Sequence, residues 1–282
     1  MNQRKPPLNK KTPLPDARVL LDESAAGIVI SGDSGCGKSN LMMVLMRLLI
    51  QAGMGMTLID PHGDLADDLE RHCASLPDRI RRRVIFIRYA NTDRIVGMNP
   101  LSIGRFVGSA VTRAARIVSK VGHVSRILLH AWGETDFNSK PVLFKWTMRF
   151  LTMLARVGMS IADVRHFFDV GSPVYQALAA TAPDLVSRLE MEELADMRPR
   201  DREDFIASTK NRFLGLLENP IIELVLGKLG ETLDVAQLIH DRAIIIISLE
   251  RGGVLREEDV EILANLWLSE IFNAIYNTPR DA

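Results

Sequence analysis

The sequence predicts an α/β protein whose mostly parallel sheet is covered by helices and interrupted by an all-α insertion. Three observations carry this. Short runs rich in β-branched residues, Ile28 to Ile30, Met56 to Ile59, Arg83 to Arg88 and Ala243 to Leu249, read as buried strands. The first three are separated by helical stretches, the spacing of βαβ crossovers and hence of a parallel sheet. Between about Gly108 and Leu238 helix follows helix with little that reads as a strand.

Residues Met1 to Pro15 hold Arg4, Lys5, Lys10 and Lys11 among prolines and read as an extended basic arm. The first strand then runs into Gly32-Asp33-Ser34-Gly35-Cys36-Gly37-Lys38-Ser39, followed by Asn40 and an apolar-rich helix. This is the phosphate-loop pattern G-x-x-x-x-G-K-[ST] between a strand and a helix, the context that confirms it, and it makes the expected fold that of a P-loop NTPase. Glycines at 32, 35 and 37 let the backbone approach an anion with its N–H groups inward. The new helix adds the positive end of its dipole. Lys38 brings a mobile charge for the β- and γ-phosphates, and the Ser39 hydroxyl is a hard oxygen suited to Mg²⁺. ATP and Mg²⁺ are therefore the expected ligands, with residues 32 to 40 as the cradle and Lys38 as a candidate catalytic residue.

The second strand ends on Asp60, and Pro61-His62-Gly63-Asp64 turns into a charged helix to about Ala74. A carboxylate at a strand end beside the phosphate loop suits a metal or its waters, so Asp60 is a candidate catalytic and metal-binding residue; the competing reading is that it caps the helix after Gly63. Asp64 is a weaker second choice. His62 suits either a phosphate contact or a structural place in the turn. Core 16–107 is thus followed by the helical region 108–240, where Leu143, Trp146, Thr147, Phe150, Leu151 and Leu154 recur at helical spacing and Leu185, Leu189 and Leu194 suggest another apolar face. Trp132, Trp146, Phe167, Phe168 and Tyr175 read as its core rather than as a base-stacking platform. The core resumes over 241–282, ending in a helix that sets Ile262, Leu263, Leu266, Trp267 and Ile271 on one side.

The totals are those of a globular protein large enough for a substantial core: 282 residues, 47% hydrophobic, 25% charged. Net charge is zero, from 35 basic and 35 acidic residues, so nucleic acid would be met through local patches rather than bulk charge. Arg79-Ile-Arg81-Arg82-Arg83 is the densest such patch, either a solvated sheet edge or a phosphate contact in a channel. Two cysteines, Cys36 and Cys73, fit neither a zinc site nor a disulfide framework and point to a reducing cytoplasm. No secretory signal or membrane span is legible.

The phosphate loop, the strand ending in Asp60-Pro61-His62-Gly63-Asp64, and Asn99-Pro100-Leu101 after the third strand together resemble the HerA/FtsK superfamily of P-loop motors, nearest to ATPases of type IV secretion and conjugative DNA transfer. The block Ile245 to Gly253 before a long helix is similar to the strand and turn those proteins carry ahead of their Walker B strand. The resemblance implies a homohexameric ring with ATP between subunits, DNA bound without regard to sequence, and other secretion or conjugation proteins as partners. It implies a cytoplasmic place, peripheral to the inner membrane through those partners, and Arg251 as a candidate arginine finger. It also implies an acidic Walker B strand soon after Tyr276, which does not occur before Ala282. Two function readings stay open: a motor that hydrolyses ATP to move DNA, and a nucleotide-binding assembly or regulatory subunit with little hydrolysis. A small-molecule kinase fits poorly, for want of a substrate lid.

Overall fold

The computed structural model describes residues 30–90, 95–104, 108–134, 140–227, 233–250 and 254–277. The N-terminal arm, Ile28 and Val29 of the expected first strand, and Arg251 lie outside these residues; Ile30 is within them and is not part of a strand. Among the described residues three parallel strands form a sheet: β1 (Met56–Asp60), β2 (Val84–Arg88) and β3 (Ile244–Ser248). Their order is β1-β3-β2, so the last strand in sequence lies between the other two. Met56 and Val84 both pair with Ile244, and Asp60 and Arg88 both pair with Ser248.

Central placement explains the apolar run from Ile244 to Ile247, since all five residues of β3, Ser248 included, are buried. Successive side chains point to opposite faces. Ile244 and Ile246 join Leu58 on one face, against Met43, Met46 and Ile50 of α1 (Lys38–Gln51) and Ala66, Leu69 and Cys73 of α2 (Asp64–Ala74). Ile245, Ile247 and Ile87 face the other way, into the larger core of the helical region.

A short helix α3 (Asp78–Arg81) precedes β2. After β2 come α4 (Ala110–Ala131), α5 (Pro141–Val157), a 3₁₀ helix (Ile161–Phe168), α6 (Pro173–Ala180), α7 (Leu185–Asp196), α8 (Pro199–Leu217), α9 (Pro220–Gly227) and α10 (Val235–His240). The six residues expected on the buried face of α5 are all buried. Phe150 stacks on Phe167 with ring centroids 4.4 Å apart, while Trp132 and Phe168 are only partly covered. On α7 the expectation fails: Leu185 and Leu189 are exposed, and the buried face is Ser187, Met191 and Leu194. The cause is anchorage at two points. Asp184 accepts the Ser187 N–H at 2.8 Å, and the Met191 carbonyl accepts the Tyr175 hydroxyl at 2.6 Å, which fixes the rotation of the helix.

The chain returns through β3 to α11 (Glu257–Asn277), where Ile262, Leu263, Leu266 and Trp267 are buried on the same face of the sheet. At the amino ends of the strands the Arg83 guanidinium donates to the carbonyls of Gly53 at 3.1 Å, Met54 at 2.8 Å and Arg242 at 2.9 Å. One side chain thus gathers the entries to all three strands. Gly55 has no room for a side chain there, because a Cβ would stand 2.8 Å from the Arg242 Cα.

Candidate functional site

The candidate residues stand in two places, the loop that leads into α1 and the ends of β1 and β3, where β1 turns into α2; the carboxyl edge is the usual ligand edge of a parallel sheet. In the phosphate loop, Gly32, Gly35 and Gly37 have φ of 156°, 79° and 95°. At Gly35 and Gly37 the space is open and only the backbone angle demands glycine; at Gly32 a Cβ would also meet the Cys36 sulfur at 2.7 Å. The loop from Ser31 to Gly37 is exposed, as are Ser39 and Asn40. Gly37 is the N-cap of α1 and offers no side chain to the first turn, so the helix start has no side-chain acceptor of its own.

Lys38 curls back over this loop. Its ammonium donates to the carbonyls of Gly32 at 2.7 Å and Asp33 at 2.8 Å and lies 3.9 Å from the Cys36 sulfur. These carbonyl partners are neutral acceptors. A phosphate oxygen is a charged one, and the exchange is favourable because charge-assisted hydrogen bonds are the stronger.

Asp60 is buried at the end of β1, and both its oxygens are engaged. Oδ1 accepts the His62 N–H at 3.0 Å and Oδ2 accepts the Ala66 N–H at 2.9 Å, in the first turn of α2. Of the two readings open for Asp60, the cap is therefore present. Gly63, with φ of 92°, is the N-cap of α2, and a Cβ there would lie 3.2 Å from Ser248 Oγ and 3.5 Å from Glu250 Cγ. The Asp60-to-Asp64 turn is thus pressed against the end of β3. His62 and Asp64 are exposed.

Register sets Asp60, Ser248 and Arg88 in one row across the carboxyl edge. Arg88 pairs with Asp67 and, at 3.4 Å, with Glu70, both on α2. Glu250 just beyond has φ of 42°, a left-handed conformation that is uncommon for a residue with a side chain. Ser248 and Glu250 were not among the expected site residues. Their signal was position at the end of the central strand, which becomes visible once the strand order is known. The patch Arg79 to Arg83 lies at the opposite, amino end of the sheet, before β2, and Arg83 is committed to main-chain carbonyls there. Among the described residues no group of three or more His, Cys, Asp or Glu is placed to hold a metal ion, and no helix is long and apolar enough to cross a membrane.

Residues 25–104 match the family model described as the central domain of the helicase HerA. No curated protein matches the chain. Among solved structures, the chain is similar to the bacterial conjugative coupling protein TrwBdeltaN70 in its unbound form, with 17% identity and a TM-score of 0.50. That likeness covers 88% of this chain and 50% of the coupling protein, so the chain spans about half the length of its structural relative. The matched segment holds the phosphate loop and the Asp60-to-Asp64 turn, and the shared fold extends over the helical region. The family match is thus confined to the part of the chain that holds the phosphate loop, and over the rest the likeness is one of fold.

Proposed function

We propose that this chain is the ATP-binding part of a motor that moves DNA, with hydrolysis in a ring of identical subunits. The observation that carries the reading is the loop from Gly32 to Ser39 with Lys38 folded into it: a helix start without a side-chain cap, three glycines at positive φ and a lysine that donates to two neutral carbonyls of the loop. In this reading residues 32 to 40 cradle the phosphates of ATP, and the Lys38 ammonium moves from its carbonyls to the β- and γ-phosphates. Mg²⁺ is offered the Ser39 hydroxyl and phosphate oxygens, and needs no cage of protein carboxylates. When bound it supplies charge neutralisation at the phosphates.

Asp60 acts from behind this site. With each oxygen already accepting an N–H, its work is to hold the turn and any ordered water in place, and direct coordination falls to Ser39. DNA as cargo, the ring, a cytoplasmic place and the 108–240 region as a helical insertion are parts of the same proposal; a match to a helicase domain and a fold shared with a conjugative coupling protein support DNA as the cargo.

Isothermal titration of the purified chain with ATP, with and without Mg²⁺, tests the reading. Binding lost in Lys38→Ala and weakened by chelating Mg²⁺ supports it; no heat with either ATP or GTP overturns it. Turnover above that of the Lys38 variant separates a motor from an assembly subunit that binds nucleotide without hydrolysing it.

A further inference from the structure

The chain is neutral overall, yet its charge is segregated. Between Asp93 and Glu134 there is no acidic residue, although acidic residues number 35 in 282. Most of this stretch is α4, a helix of 22 residues carrying Arg113, Arg116, Lys120, His123, Arg126 and His130. Lys120 pairs with Glu270, and His130 lies 3.5 Å from Glu261.

The others share one side. Thr112, Arg116, Ser119, His123 and Arg126 follow at steps of four, three, four and three, which at 3.6 residues per turn keeps them on one strip, with Arg113 about a quarter turn round from it at the exposed start of the helix. All six are exposed. The opposite strip, Ile117, Val121, Val124 and Leu128, is buried in the main core. Every residue from Ala110 to Arg116 is exposed, so the helix start stands clear of the body. It is held rigid by its cap, since Ser109 Oγ accepts the Thr112 N–H at 3.1 Å. Arg126 donates Nε to the Gly122 carbonyl at 3.1 Å, which fixes the stem of an exposed side chain.

We propose that this strip of α4, from Thr112 to Arg126, binds the sugar-phosphate backbone of nucleic acid. Cations and hydroxyls spaced along about 21 Å of rigid helix suit a line of phosphates, and they carry nothing that reads base sequence. The choice of polyanion rests on the motor reading above; the choice of surface rests on charge and exposure alone. A bilayer of acidic lipid is the less favoured polyanion. The exposed apolar residues of α4, Val111 and Val118, lie off the strip, and the helix exposes no Trp, Phe or Leu to anchor it in an interface. The rival patch before β2 is smaller than its sequence suggests, because Arg81 pairs with Asp78 and Arg83 is spent on main-chain carbonyls.

The test is fluorescence anisotropy with labelled single-stranded and duplex oligonucleotides, without nucleotide, across a salt series. The pair Arg113→Gln with Arg126→Gln is compared with wild type and with Arg79→Gln plus Arg82→Gln. ATP titration checks that each variant keeps its nucleotide site. We expect the α4 pair to weaken binding about tenfold or more near 50 mM salt and to lower the log–log salt slope by roughly 1.5, with ATP binding unchanged. An unchanged affinity and slope overturns the proposal, as does a loss confined to the Arg79 and Arg82 pair. Binding to phosphatidylserine vesicles in place of oligonucleotides overturns it too. Those outcomes leave the nucleotide reading standing, whereas loss of ATP binding in wild type would remove that reading and leave the charge argument to this assay.

Discussion

Lys120 Nζ lies 2.9 Å from Glu270 Oε1, and the pair joins the middle of α4 to the last turns of α11 in a nearly dry setting. The same ammonium also donates to the Ser102 carbonyl, so three segments meet at one charge. Burial pushes the Glu270 carboxyl above its ordinary range, against the pull of Lys120. A carboxyl raised by folding contributes stability that is full below its unfolded pKa and declines as pH rises through the folded value.

Replacing Lys120 by Met leaves that carboxylate without its cation. The expected cost near neutral pH is about 2–3 kcal/mol, below that of a fully buried pair because both side chains keep some solvent. The deficit shrinks as the pH is lowered from neutral into the mildly acidic range, because Glu270 takes up a proton more readily than an ordinary carboxyl. Urea denaturation at neutral and at mildly acidic pH measures this. A deficit independent of pH would show that Lys120 acts by packing alone.

Gly55→Ala and Gly63→Ala separate two demands for glycine. At Gly55 the obstacle is backbone, a Cβ 2.8 Å from Arg242 Cα, so β1 and the entry to β3 must part. At Gly63 the obstacles are the 92° φ and a Ser248 hydroxyl that can turn aside. We expect about 1–2 kcal/mol lost at Gly63 from the backbone conformation, and a larger loss at Gly55. Thermal melts of the two variants rank them.

Asp60→Asn retains one carbonyl acceptor and is expected to keep either the His62 or the Ala66 hydrogen bond; Asp60→Ala loses both. Each lost bond leaves a backbone N–H to be satisfied elsewhere, at about 1–3 kcal/mol if it stays buried. ATP affinity should fall less in Asn than in Ala, in step with stability. A variant as stable as wild type that cannot turn over ATP would instead give the carboxylate a direct part in the reaction.

Trp267 donates its indole N–H to the Tyr89 hydroxyl at 3.0 Å, linking α11 to the residue after β2. Tyr89→Phe leaves that buried N–H without an acceptor. The expected cost is about 1–3 kcal/mol, read from the denaturation midpoint.

Legibility followed distance along the chain. The faces of α5 and α11 could be read because a helix repeats its contacts every three or four residues, and their apolar residues obey that period. The face of α7 could not. Two of its leucines stand four apart like a core face, but the helix is turned by Asp184 and by the Tyr175 hydroxyl, and neither constraint lies in the period. Arg83 likewise sat in a basic run that looked like solvated charge, and its three carbonyl partners come from segments far from it in sequence.

From the sequence alone came the phosphate loop, the turn after Asp60 and the alternation of strand and helix, since each is a matter of residue types at short spacing. Tertiary structure decided what the spacing left open: that β3 enters between β1 and β2, that both oxygens of Asp60 accept N–H groups that follow it, and that the strip of α4 from Thr112 to Arg126 is exposed. The physical reason is that parallel pairing and burial are agreements between distant segments. No local pattern encodes them until the chain has closed on itself.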